Sequence, residues 1–115
     1  MMKSEKERLK KITATWDDLQ KQIAENGITR ENLLNNQFFQ WAVTTPLYNI
    51  GEQVYNLSSE FKLNYPNIKW SLVSGLRHRL VHDYEGINWS VIVEVVFEDM
   101  ELFVDQVKVV LTDIE

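Results

Sequence analysis

Apolar residues recur three and four positions apart along most of the chain, which is the spacing of an amphipathic α-helix. The first such series consists of Leu9, Ile12, Trp16, Leu19 and Ile23. Gly27 follows the series and can take the left-handed conformation that ends many helices. The pattern therefore predicts a first helix that ends at Gly27.

A second apolar series follows Thr29, which is a suitable N-cap residue. Its members are Phe39, Val43, Leu47, Ile50, Val54, Leu57 and Phe61. The series keeps its phase across Pro46, so we predict one long helix that is kinked at the proline, although Thr45 and Pro46 together could also begin a new helix. Gly51 lies inside this helix and is expected to let a neighbouring helix approach closely.

A third helix is predicted after a polar loop around Pro66. It begins between positions 67 and 71 and reaches about His82, because leucines repeat every four residues along it. Gly86 can stop this helix, and Asn88 can cap the next one.

The last helix is less obvious, because the run from Val91 to Phe97 is rich in β-branched residues and would suit a strand. Apolar residues nevertheless keep helical spacing from Trp89 to Leu111 with no turn signal between them, so we predict a helix. Four apolar residues lie partly off its stripe, namely Val91, Ile92, Val95 and Phe97. A helix with one buried face does not need them, which predicts a second covering surface, such as that of a second subunit.

Together these patterns predict an all-α fold, in which four main helices form an antiparallel bundle within a single domain, residues 1–115. The chain has no cysteine, which excludes disulfides and thiolate chemistry. It begins with charged residues and has no apolar run of membrane length. We therefore expect a cytoplasmic protein with no signal peptide and no membrane contact.

The net charge of −5 is divided unevenly along the chain. Residues 1–82 carry +3, whereas residues 83–115 carry −8. The acidic part would repel phosphate and could attract a basic partner protein, although it could equally be a solvated helix face. The overall charge argues against a protein that coats nucleic acid generally.

The candidate chemistry lies at the end of the third predicted helix, in residues 77–84, which read RHRLVHDY. His78 and His82 are four residues apart and share a helix face, while Arg77 lies roughly 140° around the axis from His82. Arginine binds phosphate oxygens and histidine moves protons, so Arg77 and His82 could act on a phosphodiester. Such residues at a helix end are also common as plain surface groups. Two histidines could begin a metal site, but the chain has no cysteine and offers only Asp83 nearby, so we predict no metal.

This stretch resembles the R-x4-H motif of HEPN domains. More narrowly, it resembles the R-x4-H-x-Y motif of HepT-like toxins, the ribonuclease halves of nucleotidyltransferase–HEPN toxin–antitoxin pairs. Arg77, His82 and Tyr84 match this motif, and His78 matches the polar residue that often follows the arginine. The resemblance covers about residues 47–111, and its flanking positions are Ile50, Gly51, Glu52, Pro66, Trp70, Gly75 and Leu76.

The resemblance implies a HEPN helical bundle and a ribonuclease whose site is composed from two copies of the chain. Cleavage by attack of a 2′-hydroxyl needs no metal or other cofactor, because the nucleophile is part of the RNA. For this reaction we expect His82 to act as general base or acid and Arg77 to stabilise the transition state. His78 is expected to orient RNA or share proton transfer, and Arg79 to contact RNA phosphate or bridge to a partner.

The resemblance also implies a nucleotidyltransferase antitoxin that adds AMP to Tyr84. Spacing alone would favour a tyrosine that packs its ring against the helix end. The added phosphate would bring negative charge and bulk close to Arg77 and so block RNA.

Two other functions are open. Some HEPN domains do not cleave RNA and serve as interaction modules, which here would partner a nucleotidyltransferase, and the helical pattern would be nearly the same. The intact pair of Arg77 and His82 favours the ribonuclease. Nucleotide binding beside a nucleotidyltransferase ranks last, because the chain has no glycine-rich loop that could hold phosphates.

Overall fold

A computed structural model describes residues 3–82 and 84–115, apart from the side chains of Lys3 and Tyr84. Within these ranges the regular structure is entirely helical. The α-helices are α1 (Lys3–Glu25), α2 (Arg30–Asn35), α3 (Gln37–Tyr55), α4 (Ser59–Leu63), α5 (Trp70–His82), α6 (Trp89–Glu94) and α7 (Met100–Ile114). The predicted all-α fold is confirmed, and its four long units are α1, α3, α5 and the continuous pair α6–α7.

The first helix ends as the sequence predicts. Gly27 follows α1 with a φ of 64°, a conformation that glycine adopts without strain. The apolar stripe of α1 is buried, and the helix packs against both α3 and α7. None of the helices in the described part of the chain is both long enough and apolar enough to cross a membrane.

The prediction of one long second helix is wrong, because this part of the chain forms three helices, α2, α3 and α4. Asn36 has an extended backbone, and its side chain accepts a hydrogen bond from the N–H of Phe39, so it ends α2 and caps α3. Ser58 caps α4 in the same way, through the N–H of Phe61. Asparagine and serine side chains accept hydrogen bonds from nearby backbone N–H groups. These capping bonds interrupt the helix although the apolar spacing is continuous. α3 does continue through Pro46, as the phase of the apolar series predicts.

The last helix is confirmed, but it contains a π-helical turn at Val95–Asp99 between α6 and α7. A π turn holds one extra residue, which changes the rotational phase between the two halves by roughly 100°. Ile92 and Val95 are buried within this chain, and α6 packs on α2. The chain itself therefore covers part of the apolar surface for which the sequence predicted a second subunit.

Arg30, the first residue of α2, covers the outer side of the π turn. Its guanidinium lies 5.7 Å from the centroid of the Phe97 ring and pairs with the carboxylates of Glu94 and Glu98. Of the four residues that lie off the predicted stripe, Val91 remains exposed.

Candidate active site

The position of α5 is determined by its close approach to α3 at Gly51. A Cβ atom on Gly51 would lie 2.9 Å from the backbone nitrogen of Arg77 and 3.0 Å from the carbonyl oxygen of Val73. Any larger residue would have to push the two helices apart, so the packing role predicted for Gly51 is confirmed. Because Gly51 touches the backbone of Arg77, the next turn of α3 lies beside the arginine side chain.

Arg77 is held from two sides by α3. Its Nε–H donates a hydrogen bond to Oε1 of Glu52 at 2.6 Å, and its Cζ lies 3.8 Å from the centroid of the Tyr55 ring. The hydrogen bond to Glu52 raises the pKa of Arg77 above its ordinary value, while partial desolvation acts in the opposite direction. Arg77 is therefore a fixed positive charge at the seam between α3 and α5.

His78 and His82 lie side by side on the exposed face of α5. Their ring centroids are 4.9 Å apart and their ring planes are inclined by 36°, so the predicted shared face is confirmed. α5 stays helical through His82, and among the described residues no hydrogen bond or ion pair joins Arg77 to either histidine. The guanidinium bends towards α3 and not towards the imidazoles.

Arg79 is exposed on α5 and faces the connection to α6. It lines a cavity of about 280 Å³ together with Gly86, Ile87, Asn88 and Val91. An exposed cation at this position is accessible to a phosphate. The contact between Arg79 and RNA phosphate stays a prediction.

Two predicted residues fall at the limit of the described chain. Tyr84 begins a 3₁₀ turn, Tyr84–Gly86, but its side chain lies outside the described residues, so the exposure of its phenol stays a prediction. Asp83, the only extra metal ligand that the sequence offered beside the histidines, lies wholly outside them. Within residues 3–82 and 84–115, no three histidine or carboxylate side chains gather into a group that could hold a metal ion.

Sequence reasoning missed the contacts that α3 makes with Arg77. It noted Glu52 only as part of a flanking similarity and gave Tyr55 no role. The two residues are three apart and therefore share a face of α3, with Glu52 next to the predicted contact residue Gly51. That spacing is the signal that could have indicated both.

α3 also exposes a row of aromatic side chains. Phe38, Trp41 and Tyr55 are 71%, 55% and 54% exposed, and the half-buried Tyr48 lies on the same side of the helix. We call these four residues the α3 aromatic face. Glu52 is the one charged residue in α3, and such aromatic, charge-poor surfaces are typical of the core of a protein interface. The face is continuous with the site, because Tyr55 is also the partner of Arg77.

Chemically, the site combines a cation that cannot lose its proton under ordinary conditions with two accessible imidazoles. A guanidinium can bind two oxygens of a phosphate, and imidazoles can take up and release protons. Groups of these kinds can promote phosphodiester cleavage, the imidazoles by proton transfer and the guanidinium by stabilising negative charge.

Known proteins with similar sequences are described as ribonucleases. The family model "Ribonuclease HepT-like" matches residues 2–110. "Putative RNase MJ0127" of Methanocaldococcus jannaschii is 33% identical over 90 residues, which are 78% of this chain and 74% of that protein. "Putative RNase TTE0752" of Caldanaerobacter subterraneus subsp. tengcongensis is 32% identical over 85 residues, or 74% of this chain and 76% of that protein. "Probable ribonuclease HepT" of Thermococcus cleftensis is 31% identical over 100 residues, or 87% of this chain and 89% of that protein. No solved structure matches the chain.

Proposed function

The chain belongs to the HepT-like ribonuclease family, and on that premise we propose that it is a metal-independent endoribonuclease that acts through Arg77, His78 and His82. The observation that carries the proposal is the arrangement on α5. A guanidinium held by α3 lies on the same two helical turns as a pair of exposed imidazoles. An interaction module that never cleaves RNA has no physical need for this combination.

In the proposed reaction the ribose 2′-hydroxyl attacks the adjacent phosphorus and the 5′-oxygen leaves. The new bond closes a 2′,3′-cyclic phosphate, one imidazole takes the hydroxyl proton, and another group protonates the leaving oxygen. His82 serves as general base or acid, and His78 orients the RNA or shares the proton transfer. Arg77 stabilises the negative charge that develops on the phosphate oxygens, and Arg79 contacts a neighbouring phosphate.

The decisive experiment is cleavage of end-labelled RNA by the purified protein in the presence of a chelator. We expect cleavage to persist and to leave 2′,3′-cyclic ends, because the nucleophile is part of the substrate. Loss of cleavage with the chelator would favour a metal site at His78 and His82 instead. A folded protein that leaves RNA intact but binds a nucleotidyltransferase would be an interaction module.

The proposed enzyme is a homodimer with a composite site. One chain supplies Arg77, His82 and the helper His78, which are few groups for a base, an acid and charge stabilisation. Twofold pairing of two chains doubles these groups. The α3 aromatic face supports this arrangement, since it is exposed and is continuous with Arg77. It replaces residues 89–97 as the surface that a second copy would cover, because Ile92 and Val95 are buried within the chain.

For the dimer, we expect light scattering at micromolar concentration to give twice the chain mass of 13.6 kDa. Trp41→Glu should weaken association at least about thirtyfold, because it places a charge within the aromatic surface and removes a typical interface anchor. Leu102→Glu is the matched control, since Leu102 is similarly exposed, at 61%, but lies on α7. A native protein that is strictly monomeric would exclude both the dimer and the composite site.

The partner of the proposed enzyme is a nucleotidyltransferase antitoxin that modifies Tyr84. The phenol oxygen would attack the α-phosphorus of ATP, pyrophosphate would leave, and the partner would accept the phenol proton. Tyr84 follows His82 by two residues, so the attached AMP would bring a negative phosphate to the end of the motif. It would compete with RNA for the cationic groups there and block access to them.

Intact mass spectrometry after incubation with the partner and ATP tests this regulation. We expect AMP on the native protein and on Tyr65→Phe, a control at another tyrosine, but not on Tyr84→Phe. RNA cleavage should fall in proportion to the labelled fraction. Equal labelling of the Tyr84→Phe protein, or labelled native protein that still cleaves RNA, would rule the switch out.

A further inference from the structure

The contacts of Arg77 with α3 leave one edge of its guanidinium unoccupied by the described residues. Glu52 binds the Nε–H, and Tyr55 covers one planar face. Within residues 3–82 and 84–115, no hydrogen bond uses the Nη1 or Nη2 groups. Those two groups form the outer edge of the planar fork, the part that can bind two oxygens of a phosphate at once.

We propose that Glu52 and Tyr55 are positioning residues, which hold Arg77 so that its Nη1 and Nη2 groups face the phosphate of the RNA. This inference rests on the proposed ribonuclease function and assigns part of its site to α3. The carboxylate fixes the rotation of the guanidinium through Nε, and the aromatic ring fixes the plane. An arginine held in this way does not have to become ordered when the transition state forms.

Gly51 sets the separation at which these contacts work. The backbones of α3 and α5 come close together at this residue, and at this separation the Glu52 carboxylate reaches Nε at 2.6 Å. An aspartate is shorter by one carbon–carbon bond, about 1.5 Å. It would keep the charge but lose the hydrogen bond.

Two other roles for Glu52 make different predictions. If Glu52 were a general base, replacement by glutamine would remove the proton acceptor and would be as harmful as replacement by alanine. If its carboxylate kept RNA phosphate away from Arg77, either replacement would raise activity. For a positioning residue, glutamine should be the mildest change, because its amide oxygen can still accept the hydrogen bond from Nε.

The first test measures kcat and KM of the full-length protein with variants at Glu52. We expect Glu52→Ala and Glu52→Asp to lower kcat by about tenfold to a hundredfold, as small misplacements of catalytic groups do. Glu52→Gln should remain within about fivefold of native kcat, with an unchanged pH profile. Glu101→Gln is the charge-matched control and should behave as native protein, because Glu101 is exposed on α7.

Tyr55 is tested by separating its ring from its hydroxyl. Tyr55→Leu should lower kcat by about threefold to tenfold, because it removes the ring beneath the guanidinium, whereas Tyr55→Phe should retain more activity. Tyr55 also belongs to the α3 aromatic face, so the mass of each variant is measured at the assay concentration. Equal activity of Tyr55→Leu and native protein as dimers would overturn the role of the ring.

A readout that does not depend on cleavage comes from the Nε–H signal of Arg77 in nitrogen-edited NMR spectra. We expect slow exchange with solvent in native protein and in Glu52→Gln, and fast exchange in Glu52→Ala. If native protein does not cleave RNA, the proposed function fails while this measurement still decides whether Glu52 holds Arg77. If native protein cleaves and Glu52→Ala has native or higher activity, the positioning role is wrong and the ribonuclease stands.

Discussion

Replacing His82 with alanine is expected to lower the rate of RNA cleavage by at least about a hundredfold, the usual effect of removing a general acid or base. His82 is exposed at the end of α5, so the change removes an imidazole and leaves the core intact. Arg77→Ala should cause a loss of similar size, because the developing charge loses its cation. Arg77→Lys should recover little of it, since an ammonium keeps the charge but lacks the planar fork.

These variants are compared at equal concentration, with circular dichroism to show that each remains helical. Arg79→Ala serves as the neighbouring control, and it should raise KM with little change in kcat, because Arg79 is assigned to a phosphate outside the bond that breaks. Normal cleavage by both His82→Ala and Arg77→Ala would show that the active site lies elsewhere.

Gly51→Ala is expected to lower the free energy of unfolding by about 1–3 kcal/mol, the usual cost of adding a methyl group where there is no space. The new Cβ would lie 2.9 Å from the backbone nitrogen of Arg77, and backbone cannot rotate away as a flexible side chain can. α5 must therefore move, and cleavage should fall together with stability. Urea denaturation followed by circular dichroism measures the first effect, and the labelled-RNA assay measures the second.

Gly75→Ala is the matched control for this prediction. Gly75 lies in the middle of α5, and a Cβ there would meet no atom within 4 Å. Alanine favours helix over glycine, so this change should raise the free energy of unfolding by about 0.5–1 kcal/mol. If both substitutions stabilise the protein equally, the contact between α3 and α5 at Gly51 is looser than described.

Apolar spacing predicted the helices well where a long stripe is buried. It identified the last helix although Val91 to Phe97 is rich in β-branched residues, because burial of the whole stripe outweighs local preference. It did not predict the break at Asn36, where one side chain caps a backbone N–H and leaves the spacing unchanged. It also gave no sign of the π turn, which adds a residue to the helix while both halves remain amphipathic.

The site was predictable only in part, because the spacing of residues along one helix describes that helix alone. The spacing of His78 and His82 indicates their shared face, because both lie on one helix. Glu52 and Arg77 are 25 residues apart on different helices, and nothing in the spacing of one helix specifies which residues of its neighbour it touches. The ion pair of Arg77 with Glu52 of α3 therefore could not be predicted from the spacing within α5.

The π turn also allows the last helix to pack on two different neighbours. Residues 84–88 connect the end of α5 to α6, and α6 is anchored to α2, with Arg30 bound across the turn. α7, beyond the turn, is anchored to α1. The extra residue in the turn rotates the apolar stripe between α6 and α7, so one continuous helix covers both α2 and α1.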